Sequence, residues 1–222
     1  MSHATTPPPS GDYYSSEREE VAKLVPQAAR YVVDVGCGAG GLGRLLKRQR
    51  PGIEVRGIEI VPDQAELARQ VLDDVHVGSA EGPLPTHWPR PDCIVFADVL
   101  EHLVDPWTAL RHYRDWLAEG GQIVVSLPNV AHWSILRGLV GGRWEYRDAG
   151  LLDRTHLRFF TTQSAIALVE GAGFRVRELY RVFDGNPRMS RHARRVTKIS
   201  GRRGLRDIVL DSLTFQVLMV AS

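Results

Sequence analysis

A chain of 222 residues is long enough to bury one sizeable core and too short for several independent domains. Lys and Arg number 28 against 26 Asp and Glu, a net charge of +2, so the molecule as a whole is neither a basic nucleic-acid binder nor an acidic solvated chain. No apolar run reaches the ~18 residues of a membrane span, and Cys37 and Cys93 fall in segments that read as a turn and a buried strand, which points to a reducing cytoplasm rather than a disulfide framework.

Residues 1–12 read as a disordered leader and 13–222 as one domain. Ser16 and Glu19 have capping-box spacing, which predicts a helix carrying Val21, Leu24 and Val25 as far as Pro26. A strand follows at Tyr31–Val35, then a helix with Leu42, Leu45 and Leu46 on one face. A second strand spans 54–60, and the helix after Pro62 carries Leu67, Ala68, Val71 and Leu72. Strands are also expected at 74–78, 92–98 and 121–127, with a helix from Pro106 presenting Trp107, Leu110, Tyr113 and Leu117. Thr161 or Thr162 caps a helix ending near Gly171, and two strands close the chain at 174–183 and 213–221, one of them antiparallel at the edge. Strict alternation of this kind implies an α/β, doubly wound, mostly parallel seven-stranded sheet with helices on both faces. Its ligand crevice lies at the carboxyl ends of the strands.

The stretch Val32 to Gly43, VVDVGCGAGGLG, packs four glycines into residues 36–41 after an apolar strand. Such a turn lets backbone approach a ligand ahead of a helix N-terminus. Gly36, Gly38 and Gly41 spell the GxGxxG of dinucleotide binders. Asp34 opposes that reading, because a carboxylate there repels a pyrophosphate and suits a cationic ligand. Glu59 ends the second strand, placed to accept both hydroxyls of a ribose.

VVDVGCGAG, GIEI and FADVLEHLVDP, in that order and spacing, resemble the class I S-adenosylmethionine-dependent methyltransferases over about residues 13–183. The resemblance implies a Rossmann-like fold with S-adenosylmethionine as cofactor. It makes Asp34, Gly36, Cys37, Gly38 and Gly40 the turn contacts and Glu59, followed by Ile60, the ribose ligand. Ser79 and Ala80 take the adenine side through backbone contacts, since Ser79 stands where the family often has an aspartate. Asp98 and Val99 line the methionine side. Quinol methylases of ubiquinone biosynthesis close an N-terminal aromatic and an arginine over the cofactor. Tyr14 and Arg18 match by position, and Arg18 then pairs with the methionine carboxylate.

Residues 128–160 form a long connection after strand five, read as a lid over the acceptor. His132, Trp133, Arg143, Tyr146, Arg154 and Arg158 are its candidate substrate contacts. The stretch LLDRTHLRFFT resembles methyltransferases of polysaccharide and secondary-metabolite pathways, which implies a small polar acceptor, a sugar or a decorated metabolite. Transfer to a hydroxyl needs a base, and histidine suits that work near neutrality. His156 ranks first, with Asp153 expected to orient its ring, and His132 second. Asp98, Glu101 and His102 have D-x-x-E-H spacing. Small-RNA 2′-O-methyltransferases and some quinol methylases hold a divalent ion on an E-x-x-E-H motif here, but the shorter Asp98 favours a structural pair and no metal.

Residues 184–212 read as a basic insertion before the last strand, with eight Lys or Arg and no acid in 188–206. No aromatics for base stacking are interleaved, so nucleic acid is not the expected partner. The sequence therefore points to a methyltransferase acting on a hydroxyl or amine of a small molecule. Two alternatives are an RNA or protein methyltransferase using the basic stretch and a non-catalytic cofactor-binding subunit. Oligomeric state is left open.

Overall fold

The computed structural model describes residues 18–183 and 210–222. Seven strands form one sheet: β1 Tyr31–Val35, β2 Glu54–Glu59, β3 Asp74–Val77, β4 Cys93–Ala97, β5 Gln122–Pro128, β6 Val176–Phe183 and β7 Thr214–Ala221. Their order is β3-β2-β1-β4-β5-β7-β6. The first five pair in parallel, and β7 runs antiparallel to both β5 and β6. The antiparallel strand therefore lies one place in from the edge that the sequence assigned it. Composition explains the order: Val217 to Ala221 of β7 are all buried, whereas β6 carries Arg177, Glu178 and Arg181 and takes the exposed edge.

Residues on alternating sides of the strands meet two apolar layers. Helices α1 (Glu19–Ala22), α2 (Gly41–Gln49) and α3 (Pro62–Ala68) cover one face, where Leu42, Leu45 and Leu46 pack with Val32, Val95 and Val124. Helices α4 (Pro106–Trp116) and α6 (Thr162–Gly171) cover the other, where Leu110, Tyr113 and Leu168 pack with Val33, Phe96 and Val125. Burial on both faces accounts for the continuous apolar run of β4 and for the complete burial of β1, Asp34 included.

Helix ends depart from the sequence reading. α1 starts at Glu19 and is four residues long; Arg18 at its head is left-handed (φ 47°) and caps nothing with its side chain. Ser16 lies outside the described residues, as do Tyr14, the leader and the basic stretch 188–206. α3 stops at Ala68, so Val71 and Leu72 follow it in a turn, and Leu67 faces solvent while Leu72 is buried. In α4 the buried face is Pro106, Ala109, Leu110 and Tyr113, and Trp107 lies outside beneath the Arg158 guanidinium. α6 matches its expected span, with Thr161 and Ser164 forming a reciprocal capping box.

Between β5 and α6, backbone pairing of Asn129 with Phe160 closes the base of the long segment. The buried Asn129 amide donates to the carbonyls of Asp211 and Thr214, fixing that base to the head of β7. Within the segment stands helix α5 (Trp133–Val140), none of whose residues is buried. Residues 210–213 are helical and lead into β7.

Candidate functional site

The glycine turn leaves β1 as the sequence requires. Gly36, Gly38 and Gly40 have φ of 70°, 53° and 79°, left-handed values that glycine adopts without steric cost. A Cβ on Gly36 would come within 2.5 Å of Val99 Cγ2, which fixes the turn against the end of β4. A second constraint was not visible in the sequence. A Cβ on Gly57 in β2 would overlap Cys37 Sγ, so that glycine lets the turn settle onto the neighbouring strand. Burial pushes the Cys37 and Cys93 thiols up, which leaves both unreactive.

Two buried acids flank the turn. Glu59 accepts from Gly38 N through Oε2 and from Val61 N through Oε1, both at 2.8 Å. Each carboxylate oxygen has a second lone pair, so Glu59 can accept ribose hydroxyls while it holds the turn. Asp34 is 3 % exposed. Burial, with the Glu59 charge beside it and Arg18 opposing, pushes its carboxyl up to about 7. A buried acid under that strain gains from a cationic ligand. Ile60 is exposed beside Glu59, while Ser79 and Ala80 lie half-buried in a turn closed by Gly82 N on Ser79 O. These residues fit a cofactor that combines a ribose with positive charge.

Arg18 and Asp98 are the two non-glycine residues with positive φ among those described, and they bind each other. Arg18 Nη1 donates to Asp98 Oδ2, and Arg18 also donates to Glu20 Oε1 at 2.8 Å and Ser126 Oγ at 3.2 Å. Asp98 Oδ1 accepts from Ser126 Oγ at 3.1 Å and from Gln216 Nε2. Burial lowers the Arg18 pKa, but the Asp98 and Glu20 carboxylates together outweigh it and hold the guanidinium above its ordinary value. Arg18 is thus neither a solvated helix residue nor an unengaged arginine.

That network removes Asp98 from the D-x-x-E-H constellation. A 3₁₀ turn at Leu100–His102, rather than an α-helix, follows Val99, and the left-handed Asp98 is turned toward Arg18. Instead Glu101 and His102 meet His156, with one ligand-capable atom from each all within 4.8 Å of one another. Glu101 Oε1 lies 4.0 Å from His156 Nε2, and the two imidazole rings are 4.8 Å apart, edge to face. Glu101 is 1 % exposed, and neither of its carboxyl oxygens has a hydrogen-bond partner among the described residues. Burial, and then the Asp98 charge, raise its carboxyl well above the usual range. Burial, and then His102, lower His156, which keeps its ring neutral near pH 7. The donor set of one carboxylate and two imidazoles could also hold a transition-metal ion. His156 is 54 residues from His102, so motif spacing could not reveal it.

Several acceptor-side expectations change. Asp153 does not orient His156 through a hydrogen bond: its Oδ1 accepts from Thr155 N and Oγ1, and Glu101 takes the place beside the ring. His132 is buried and caps α5, its Nδ1 2.8 Å from Ser134 Oγ. Arg154 pairs with Asp148 at 2.8 Å, and Arg158 donates to the Val104 carbonyl. Trp133 and Tyr146 are exposed, and Tyr146 packs with Trp144 and Phe159. Trp133 and Arg143 line a cleft of about 360 Å³ with Arg137 and Arg147, two arginines the sequence reading passed over.

The family model described as "Methyltransferase domain" matches residues 12–179. A ubiquinone biosynthesis O-methyltransferase of Xylella fastidiosa is 30 % identical over 141 residues, 57 % of this chain and 53 % of the relative. A trans-aconitate 2-methyltransferase of Afipia carboxidovorans is 30 % identical over 115 residues, 50 % of this chain and 44 % of the relative. The chain spans about half the length of these curated relatives. Its fold matches an S-adenosylmethionine-dependent methyltransferase of Archaeoglobus fulgidus with TM-score 0.65 at 20 % identity, covering 95 % of this chain and 96 % of that one. A Thermotoga maritima structure described as a possible histamine N-methyltransferase gives TM-score 0.64 at 23 % identity, covering 95 % and 88 %. With the family model matched from residue 12 to residue 179, the chain belongs to the class I S-adenosylmethionine-dependent methyltransferases, and S-adenosylmethionine is its cofactor.

Proposed function

We infer that the chain transfers a methyl group from S-adenosylmethionine to a hydroxyl or amine of a small molecule. The supporting observation is the pairing of an acid-flanked glycine turn with a neutral histidine, His156, across the end of β4. The relatives named above act on a quinone precursor pathway and on trans-aconitate, which favours a small acceptor. The cofactor supplies an electrophilic methyl on a sulfonium, so the protein's work is alignment and proton removal.

In this reading Glu59 holds the ribose, and Asp34, Gly36, Cys37, Gly38 and Gly40 line the cofactor. Ile60, Ser79 and Ala80 face the adenine, and Asp98 and Val99 the methionine. Arg18 keeps Asp98 in its left-handed conformation, so its first task is to shape that wall. His156 accepts the acceptor's proton at a ring nitrogen, with the buried Glu101 carboxyl beside the ring to position it. His132 anchors α5, the helix of the acceptor lid. Two free, buried thiols accord with a reducing, cytoplasmic setting.

The test is incubation of the full chain with methyl-labelled S-adenosylmethionine and separate metabolite, RNA and protein pools from a bacterial extract. Label in the metabolite pool is expected. Label confined to RNA or protein would replace this reading with the basic-stretch alternative, and no label despite cofactor binding would favour a non-catalytic subunit.

A further inference from the structure

The cleft of about 360 Å³ between α5 and the loop before α6 has a composition that the reaction alone does not require. Arg137, Arg143 and Arg147 rise from its walls, and none of the three guanidinium groups has a hydrogen-bond or acidic partner among the described residues. One acid, Glu145, shares the lining, so the cleft keeps an excess of positive charge. Arg154 and Arg158, the other arginines of this segment, are engaged by Asp148 and by the Val104 carbonyl and lie outside the lining. The lining also includes the buried Leu151 and Leu152 and the aromatic side chains of Trp133 and Phe215.

The cleft adjoins both halves of the site. Phe215 heads β7, and the next residue, Gln216, donates to Asp98 at the end of β4. Phe215 also packs edge-on against His132, with ring centroids 5.9 Å apart. Leu151 of the lining is a backbone neighbour of the His156 ring. The lining residues Leu151 and Phe215 are thus direct neighbours of His156 and His132, and Gln216 ties this side of the cleft to Asp98.

We propose that this cleft binds the methyl acceptor and that the acceptor is an anion, carrying two carboxylate or phosphate charges on a flat, apolar body. The proposal rests on the small-molecule methyltransferase reading above. Forked guanidinium donors match such oxyanions, aromatic side chains match a planar body, and the volume accommodates a small ring with its substituents. A neutral sugar would leave the three guanidinium groups uncompensated and the apolar lining uncovered.

The experiment is calorimetric titration of the full chain, saturated with S-adenosylhomocysteine, with three probes: phthalate, phenyl phosphate and neutral dimethyl phthalate. Binding of at least one dianion is expected, without binding of the ester. The better dianion identifies carboxylate or phosphate as the recognised group. Arg143→Gln and Arg147→Gln should each weaken the dianion by about tenfold, the worth of one charge-assisted hydrogen bond, with unchanged affinity for S-adenosylhomocysteine and unchanged melting temperature. The proposal is overturned if no dianion binds, if the ester binds as well, or if both arginine variants keep wild-type affinity. Normal S-adenosylhomocysteine binding in those cases leaves the methyltransferase reading intact; its absence would defeat that reading instead.

Discussion

Asp34 carries a consequence for the pH dependence of cofactor binding. Its carboxyl is pushed up to about 7, by burial first and Glu59 second, so it is largely neutral below that pH. A sulfonium and an ammonium favour the ionised form, and binding at lower pH must release the proton. Affinity for S-adenosylmethionine should therefore rise with pH toward 7, by up to tenfold per unit, and level off above it. Asp34→Asn should flatten that dependence in a calorimetric pH series, and an equally steep series in the variant would remove Asp34 from the site. His156 gives a separate diagnostic in catalysis, of the same sign but displaced to lower pH. Its lowered pKa leaves the base neutral, so the acid limb of the rate profile should fall below pH 6.5. His156→Gln should reduce turnover by about 10²-fold or more with cofactor affinity unchanged. Near-wild-type turnover would point to an amine acceptor that needs no protein base.

Among the elements, α6 has its N-terminal boundary set by a reciprocal capping box. Thr161 Oγ1 accepts from Ser164 N, and Ser164 Oγ accepts from Thr161 N. Thr161→Ala should cost about 1 kcal/mol, a fall of about 2–4 °C in melting temperature for a domain of this size. A change within error would show that packing of Leu168 and Val169, not the cap, sets the helix. The contrast with α1 and α3 shows what sequence encodes at this scale. Strands covered on both faces announce themselves as apolar runs, and a capping box has a fixed spacing. α3 ends four residues early because Leu72 reaches the core from a turn, where it meets Gly40 and Gly43. Helical periodicity cannot distinguish that from another turn of helix. β7 lies inside β6 because of a difference in charge that strand propensity does not weigh.

For the molecule as a whole, the meeting of Asp34, the glycine turn and Glu59 was legible because these residues are contiguous or end neighbouring strands. The acceptor half was not, because it depends on distant residues meeting. Glu101 reaches His156, Asp98 turns to Arg18 and Gln216, and Phe215 completes a cleft begun at Trp133; each pairing crosses at least 55 residues. The same convergence decides whether a metal takes part. If His156 is the base, its ring must keep a free lone pair, and methyl transfer should survive excess EDTA, with no stoichiometric metal in the purified protein. Activity lost to EDTA and restored by zinc or manganese would make Glu101, His102 and His156 ligands instead.

If the acid-flanked glycine turn holds S-adenosylmethionine through Glu59, removing that carboxylate must weaken binding. Calorimetric titration of the wild-type chain and of Glu59→Ala, with a nicotinamide dinucleotide as the control, tests this most directly. Wild-type protein should bind S-adenosylmethionine and not the dinucleotide, and Glu59→Ala should lose about 1–3 kcal/mol of binding as two hydrogen bonds to a charged acceptor disappear. Dinucleotide heat from the wild type, or undiminished S-adenosylmethionine affinity in the variant, would contradict this assignment.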